Sequence, residues 1–244
     1  MEQPLFKEKV YNGENNDASP HDAPCLSCLG HLKNLLNCKT VRTIPPQQEI
    51  FSQGESPYTV CLICSGMVKL TRTESDGTRA IVGLRQAGSV LGTAALFLNM
   101  PYATTAVTIT PSKVCFVPAE KFNQVMDTNA EFSRWISTIL SREVRSSLIT
   151  ISEKSCLSGR HRLENFLWNV AKAQSGFDPQ SPIKIQLLLK NWEVAQLLAL
   201  TPQHLCRLVK KMEDEGIVMR KKGWLILSKP KRLWHSVMDS HAIP

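Results

Sequence analysis

Between residues 41 and 117 the apolar positions come in short runs broken by turn residues, a spacing that predicts β-strands. Segments 60–63 and 67–71 flank Ser65-Gly66, and Asp76-Gly77 sits between two further segments as a hairpin turn. A run of alanine and β-branched residues, 104–109, passes through Pro111-Ser112 to a strand at 113–117. Many short strands at this spacing predict a small all-β roll or barrel. After Pro118 the period lengthens. Residues 119–126 predict a short helix, and Asn129 is the expected N-cap of a long one reaching Lys154 or Cys156. The apolar stripe of that long helix is Phe132, Ile136, Leu140, Val144, Leu148 and Ile151, with Trp135 and Ile139 at its flanks. About seven turns is more than a roll of this size needs for cover. The stripe is therefore expected to pair with its own copy in a homodimer, the alternative being a helix packed only on its roll.

Ser158-Gly159 breaks the periodicity and marks a hinge. Beyond it the pattern predicts a helix at 160–174, a loop with Pro179 and Pro182, a short strand near 183–186, two helices and a hairpin. The first helix of the pair is expected to be capped by Asn191 and to carry Val194, Leu197 and Leu198. A tight turn at Ala199-Leu200 leads to Thr201 as the next cap, with Pro202 at the first helical position, where its missing N–H costs nothing. Leu205, Leu208, Val209 and Met212 form the inward stripe, leaving Gln203, His204, Arg207, Lys210 and Lys211 outward, while Cys206 is expected to be a small buried residue. Gly216 ends the helix, and residues 217–227 fold back around Lys221-Lys222-Gly223 as a wing.

Two short helices on a tight turn, the second basic on its outer face, predict a helix-turn-helix that enters the major groove of duplex DNA. Arg207 is the candidate for a bidentate contact to guanine and Gln203 for a contact to adenine. Lys210, Lys211, Arg220, Lys221 and Lys222 are candidates for phosphate contacts, and Thr201 and His204 complete the expected DNA-binding set. Charge agrees: from residue 157 onward there are fourteen Lys/Arg against seven Asp/Glu, so most of the chain's +8 lies in that part. No apolar run approaches the ~20 residues of a bilayer-spanning helix, and the polar start has no secretory pattern. A cytoplasmic protein with no membrane partner is expected. Neither a Ser/His/Asp set nor paired carboxylates suggest an enzyme.

At this point a resemblance enters. Arg160-His-Arg-Leu-Glu-Asn-Phe-Leu, Val194-Ala-Gln-Leu-Leu-Ala-Leu-Thr-Pro-Gln-His-Leu-Cys-Arg-Leu-Val and Glu215-Gly-Ile-Val resemble the C-terminal half of the cyclic-AMP-receptor/FNR (fumarate–nitrate-reduction) regulators. Cys64-Ser-Gly-Met-Val-Lys-Leu, Asp76-Gly and Gln86-Ala-Gly-Ser-Val-Leu-Gly resemble their β-roll. The resemblance implies an α+β chain: a cysteine-bearing segment (1–40), a cyclic-nucleotide-binding-like β-roll (41–128), a long dimerisation helix (129–157) and a winged helix-turn-helix (158–244). It further implies a homodimer on a roughly palindromic operator, with RNA polymerase as a partner. Two positions depart from the pattern: Gln203 stands where glutamate is frequent, and Ala199 replaces the usual turn glycine.

Cyclic AMP is not expected in the roll. Members that bind it place a glutamate after the glycine matching Gly92 and an Arg-Ser pair on the phosphate. Here Thr93 follows Gly92, and residues 98–106 contain no basic side chain. The cysteines suggest another input. Cys25 and Cys28 form a Cys-x-x-Cys, Cys38 follows, and Ser112-Lys-Val-Cys-Phe-Val-Pro resembles the FNR strand that supplies a remote thiolate, here Cys115. The resemblance implies a [4Fe–4S] cluster on Cys25, Cys28, Cys38 and Cys115, although nine residues separate Cys28 from Cys38 where FNR has five. A zinc site, a thiol–disulfide switch or plain packing remain open for these residues, as does an unidentified small-molecule effector in the roll. Cys61 and Cys64 are expected on opposite faces of one strand as core and rim residues, and Cys156 and Cys206 as structural.

Overall fold

A computed structural model describes residues 41–172, 178, 180–221, 224–228, 230, 231 and 233. They fall into two compact units that divide after Ser146, inside one long helix.

The first unit is a β-roll with helices on one face. Its strands are β1 (Val41–Ile44), β2 (Glu49–Phe51), β3 (Thr59–Ser65), β4 (Met67–Thr73), β5 (Arg79–Gln86), β6 (Val90–Leu91), β7 (Thr105–Thr108) and β8 (Ser112–Pro118). A short helix, α1 (Thr93–Leu98), lies between β6 and β7, and α2 (Ala119–Thr128) and α3 (Ala130–Cys156) follow β8. The strands form two antiparallel four-stranded sheets, ordered β1-β8-β3-β6 and β2-β7-β4-β5. Strand alternation then decides what each residue packs against. Cys61, Ile63 and Val114 join Phe51, Val68 and Ala106 in one apolar cluster. Val60, Leu62, Cys64, Cys115 and Val117 point the other way, into a cluster with Phe122 and Val125 of α2 and Phe132, Ile136 and Ile139 of α3. Fully buried rings such as Phe122 and Phe132 contribute roughly 1.5–3 kcal/mol each. Cys61 and Cys64 do face opposite ways, but Cys64 is buried at 8% exposure and is not a rim residue.

Asn129 caps α3 as expected, its Oδ1 accepting the Phe132 N–H at 2.8 Å. The stripe on α3 changes partner along its length. In its first half the buried residues are Phe132, Ile136 and Ile139, so Ile139 belongs to the buried set and is not a flank. Farther on, Val144, Leu148 and Ile151 are more than 60% exposed. Between them Glu143 pairs with Arg85 of β5 at 3.3 Å.

The second unit contains the end of α3, then α4 (Gly159–Lys172), β9 (Ile183–Ile185), α5 (Asn191–Leu197), α6 (Pro202–Asp214), β10 (Val218–Lys221) and β11 (Trp224–Leu227). A small antiparallel sheet, ordered β10-β11-β9, closes the unit. Leu163 and Leu167 of α4, Ile185, Val194, Leu205, Met212, Leu225 and Leu227 are buried. The expected cap at Asn191 is corrected: Asn191 is the first helical residue, Lys190 precedes it as N-cap, and the Glu193 carboxylate accepts the Lys190 N–H at 2.8 Å. A carboxylate in the first turn also suits the positive end of the helix dipole. No helix among the described residues is long and apolar enough to cross a membrane.

Candidate nucleic-acid interface

The turn between α5 and α6 is built locally. Leu200 N–H reaches back to Ala195 O at 2.8 Å and Ala199 N–H to Gln196 O at 3.0 Å. This hydrogen bonding puts Ala199 at φ +51°, in the left-handed region where a β-carbon costs about 1–2 kcal/mol. Thr201 then caps α6, its Oγ1 accepting the His204 N–H at 3.2 Å, and Pro202 opens the helix. Leu205, Val209 and Met212 turn inward and are buried. Gln203, Arg207, Lys210 and Lys211 lie exposed on the opposite face, and His204 is half-buried. Cys206 is exposed as well, which corrects its reading as a buried structural residue. It sits three positions after Gln203 and four before Lys210, on the same face. Cys156, at the end of α3, is exposed too.

The far end of α6 carries Glu213, Asp214 and Glu215, the wrong sign for a helix C-terminus. Two arginines offset this. Arg160 of α4 reaches Glu215 at 2.7 Å and also holds Glu164. Arg220 of β10 grips Glu213 through Nε at 2.7 Å and through a second, shorter bond from Nη2. Those bonds hold the Glu213 carboxyl below its ordinary value, against the opposing effect of partial burial. Arg220, expected among the phosphate contacts, here fastens the wing strand to α6. Lys221 is exposed and pairs in register with Trp224, and Lys184 of β9 lies 4.0 Å from the centre of the Trp224 ring. Among the described residues no hydrogen bond or ion pair holds Arg207 or Lys211. Lys222 lies outside the described residues.

Gly92, at φ +89°, leads into α1, and a β-carbon there would stand 3.0 Å from the ring of Tyr102. That ring stacks on Phe51 with centroids 4.1 Å apart, and its hydroxyl donates to Thr59 O at 2.6 Å. The chain's own aromatic side chains thus occupy this part of the interior. Of the four candidate cluster ligands, Cys25, Cys28 and Cys38 lie outside the described residues. Cys115 is fully buried on β8, paired in register with Leu62 on one side and Val41 on the other. No metal-holding group of His, Cys, Asp and Glu is found among the described residues. Burial pushes the Cys61 thiol up to about 12, which keeps it protonated.

A roll of two four-stranded sheets, a long helix, and a winged helix-turn-helix with an exposed basic face together define a ligand-domain-plus-DNA-domain regulator. The comparisons agree. Residues 41–129 match the cyclic nucleotide-binding domain and residues 161–235 the Crp-like helix-turn-helix domain. The fumarate and nitrate reduction regulatory protein of Yersinia pestis is 23% identical over 207 residues, 84% of this chain and 80% of that one. Regulatory protein HlyX of Actinobacillus pleuropneumoniae is 23% identical over 78% of both chains. Among solved structures, the c-di-GMP-responsive regulator CLP of Xanthomonas campestris gives a TM-score of 0.70 at 20% identity, covering 82% of this chain and 98% of that one. FixK2 of Bradyrhizobium japonicum gives 0.68 at 18% identity, over 80% and 96%. The chain belongs to the cyclic-AMP-receptor/FNR superfamily of DNA-binding transcription regulators. Its relatives are regulators and not enzymes.

Proposed function

We propose that the chain works as a cytoplasmic homodimer which reads a roughly palindromic operator through α6 and answers to oxygen or redox state. The observation that carries the DNA contacts is the outer face of α6. There Arg207 and Gln203 stand exposed near an N-terminus fixed by Thr201, on a helix whose other end is held by Arg160 and Arg220. Arg207 supplies two parallel donors for a guanine edge, and Gln203 a donor and an acceptor for adenine. Thr201, His204, Lys210, Lys211, Lys221 and Lys222 serve the backbone, giving affinity and register without sequence information. Val144, Leu148 and Ile151 are the surface on which a second copy packs, since three large apolar side chains in helical register otherwise face water. RNA polymerase is the protein partner such a regulator serves.

For the sensory half, Cys25, Cys28, Cys38 and Cys115 are the residues that would hold a [4Fe–4S] cluster. Of these only Cys115 lies among the described residues, buried in the cluster that joins the roll to α2 and α3; the motif spacing and the resemblance of its strand carry the reading. The cluster, when bound, supplies an oxygen-labile inorganic centre. Against cyclic AMP as the effector stand Tyr102, which stacks on Phe51 inside the roll, and residues 98–106, which carry no basic side chain of their own.

Anaerobic purification followed by iron and sulfide analysis tests the sensory half. About four of each per chain, lost in air together with affinity for duplex DNA, is the expected result. Iron-free protein with one zinc per chain, or a reversible disulfide that controls DNA binding, would replace the cluster with another thiol device. DNA affinity indifferent to air and to thiol reagents would remove redox sensing altogether.

A further inference from the structure

The long helix α3 and the turn in front of α6 meet at one side chain. Arg162, on the first turn of α4, donates from Nε to Leu198 O at 2.7 Å and from Nη2 to Ala199 O at 3.3 Å. Its Nη1 donates to Leu157 O at 2.6 Å, with Lys154 O at 3.4 Å. All four acceptors are backbone carbonyls. Two belong to the end of α3 and two to the end of α5, where helical carbonyls lack intrahelical donors and the helix dipole is negative. A single planar guanidinium therefore caps two helix ends at once. Its fork of five donors makes that possible, and a lysine ammonium has no such geometry.

The neighbourhood is close-packed in the same sense. A β-carbon at Gly159 would lie 2.8 Å from Leu200 Cδ2, 3.4 Å from His204 Cε1 and 3.6 Å from Leu208 Cδ1. A side chain at 159 would have to displace the tip of Leu200, so glycine lets the elbow between α3 and α4 lie close against the start of α6. On the same face of α4 as Arg162, three positions on, Asn165 Nδ2 donates to Glu153 Oε1 at 2.9 Å, fixing α4 to the last turns of α3. The turn that Arg162 holds contains Ala199, whose left-handed backbone is costly unless the surroundings enforce it. Thr201, the cap of α6, comes two residues later.

We infer that Arg162 is the positioning residue through which the end of α3 sets the placement of the DNA-reading helix. A shift or rotation of residues 154–157 moves the carbonyls on one side of the guanidinium, and the turn at 198–199 follows on the other. The reverse holds by linkage: a helix held in a groove constrains the end of α3. The inference concerns the regulation of the interface proposed above and rests on that reading, but the link itself is testable without DNA.

The experiment is amide hydrogen exchange on the full chain, comparing wild type with Arg162→Gln and Arg162→Lys. In the free proteins, Arg162→Gln is expected to speed exchange about tenfold in both 150–158 and 198–205, since charged hydrogen bonds are lost at both ends. Exchange in the wing, 218–227, stays at its wild-type rate. Arg162→Lys restores one of the two ends and not both. Acceleration at one end only in Arg162→Gln, or equal acceleration in the wing, would overturn the link and make Arg162 an ordinary contributor to stability. With duplex DNA at low salt, wild type is expected to gain protection at 150–158 as well as at 201–214. Arg162→Gln keeps the second and loses the first; retention of both would equally overturn the inference. If wild type ignores DNA, the proposed function fails while the free-protein comparison still decides the link.

Discussion

The roles proposed for Arg207 and Lys221 differ although their charge is the same. Arg207 stands on the outer face of α6, and Lys221 on the wing strand. Arg207→Ala is expected to cost about 1–3 kcal/mol on the specific operator, and Lys221→Ala to reduce the salt slope with little loss of discrimination. Titrations of operator and random duplex at several salt concentrations distinguish them; equal losses on both sequences would reverse the assignment for Arg207. Ala199 is a second instructive residue. At φ +51° its β-carbon costs about 1–2 kcal/mol, while glycine costs about 0.5–1 kcal/mol in chain entropy. Ala199→Gly is therefore expected to stabilise the second unit by up to about 1 kcal/mol, read as a raised midpoint in denaturant. A lowered midpoint would mean that the turn relies on contacts of the alanine methyl.

At the scale of elements, α6 is a helix whose two ends are held by different chemistry. Its start is made by neighbours in sequence, Thr201 and Pro202. Its end depends on arginines from α4 and β10, Arg160 and Arg220, which offset acidic residues placed against the dipole. The Glu213–Arg220 pair predicts a pH dependence. Its hydrogen bonds to Arg220 lower the folded-state Glu213 pKa below the ordinary 4.5, so the unfolded chain takes up the proton first as pH falls. The stabilisation is complete above 4.5 and is lost as pH falls through the lowered folded value. Both partners are partly exposed, so solvent screening keeps the effect small. Exchange of the 218–227 amides is expected to rise in acid in wild type and to be raised already at neutral pH in Glu213→Gln. A wing that exchanges alike in both proteins at every pH would dissociate it from this pair.

For the molecule as a whole, the change of environment along α3 matters most. Its first half, Phe132 to Ile139, is used up by the roll, whereas Val144, Leu148 and Ile151 find no partner within the described chain. Leu148→Glu is expected to convert the proposed dimer to monomer in sedimentation at micromolar protein and to reduce operator binding, because each half-site is then bound alone. A wild-type monomer under every redox condition would leave the stripe to another partner.

How much of this was legible depends on where the partners lie in sequence. The strand turns, the Asn129 and Thr201 caps and the inward stripe of α6 could be read because each depends on residues within four positions. Cys206 carried a readable signal that was passed over: its spacing from Gln203 and Lys210 puts it on the outer face, despite the habit of cysteine to be buried. Arg220 could not be told from the neighbouring wing lysines by its charge, and only the fold brings Glu213 against it. Arg160 and Arg162 belong to a quoted motif, yet part of their work lies 36 to 55 residues away. Nor does any local pattern show that Tyr102 stacks on Phe51, fifty-one residues earlier. Periodicity, caps and charge in the sequence by themselves determined the order of elements and the basic outer face of α6, and the resemblance of its motifs pointed to the family. Only the tertiary structure decided which arginines hold helix ends and which aromatic side chains line the roll, because those depend on contacts between chain segments that no local pattern records.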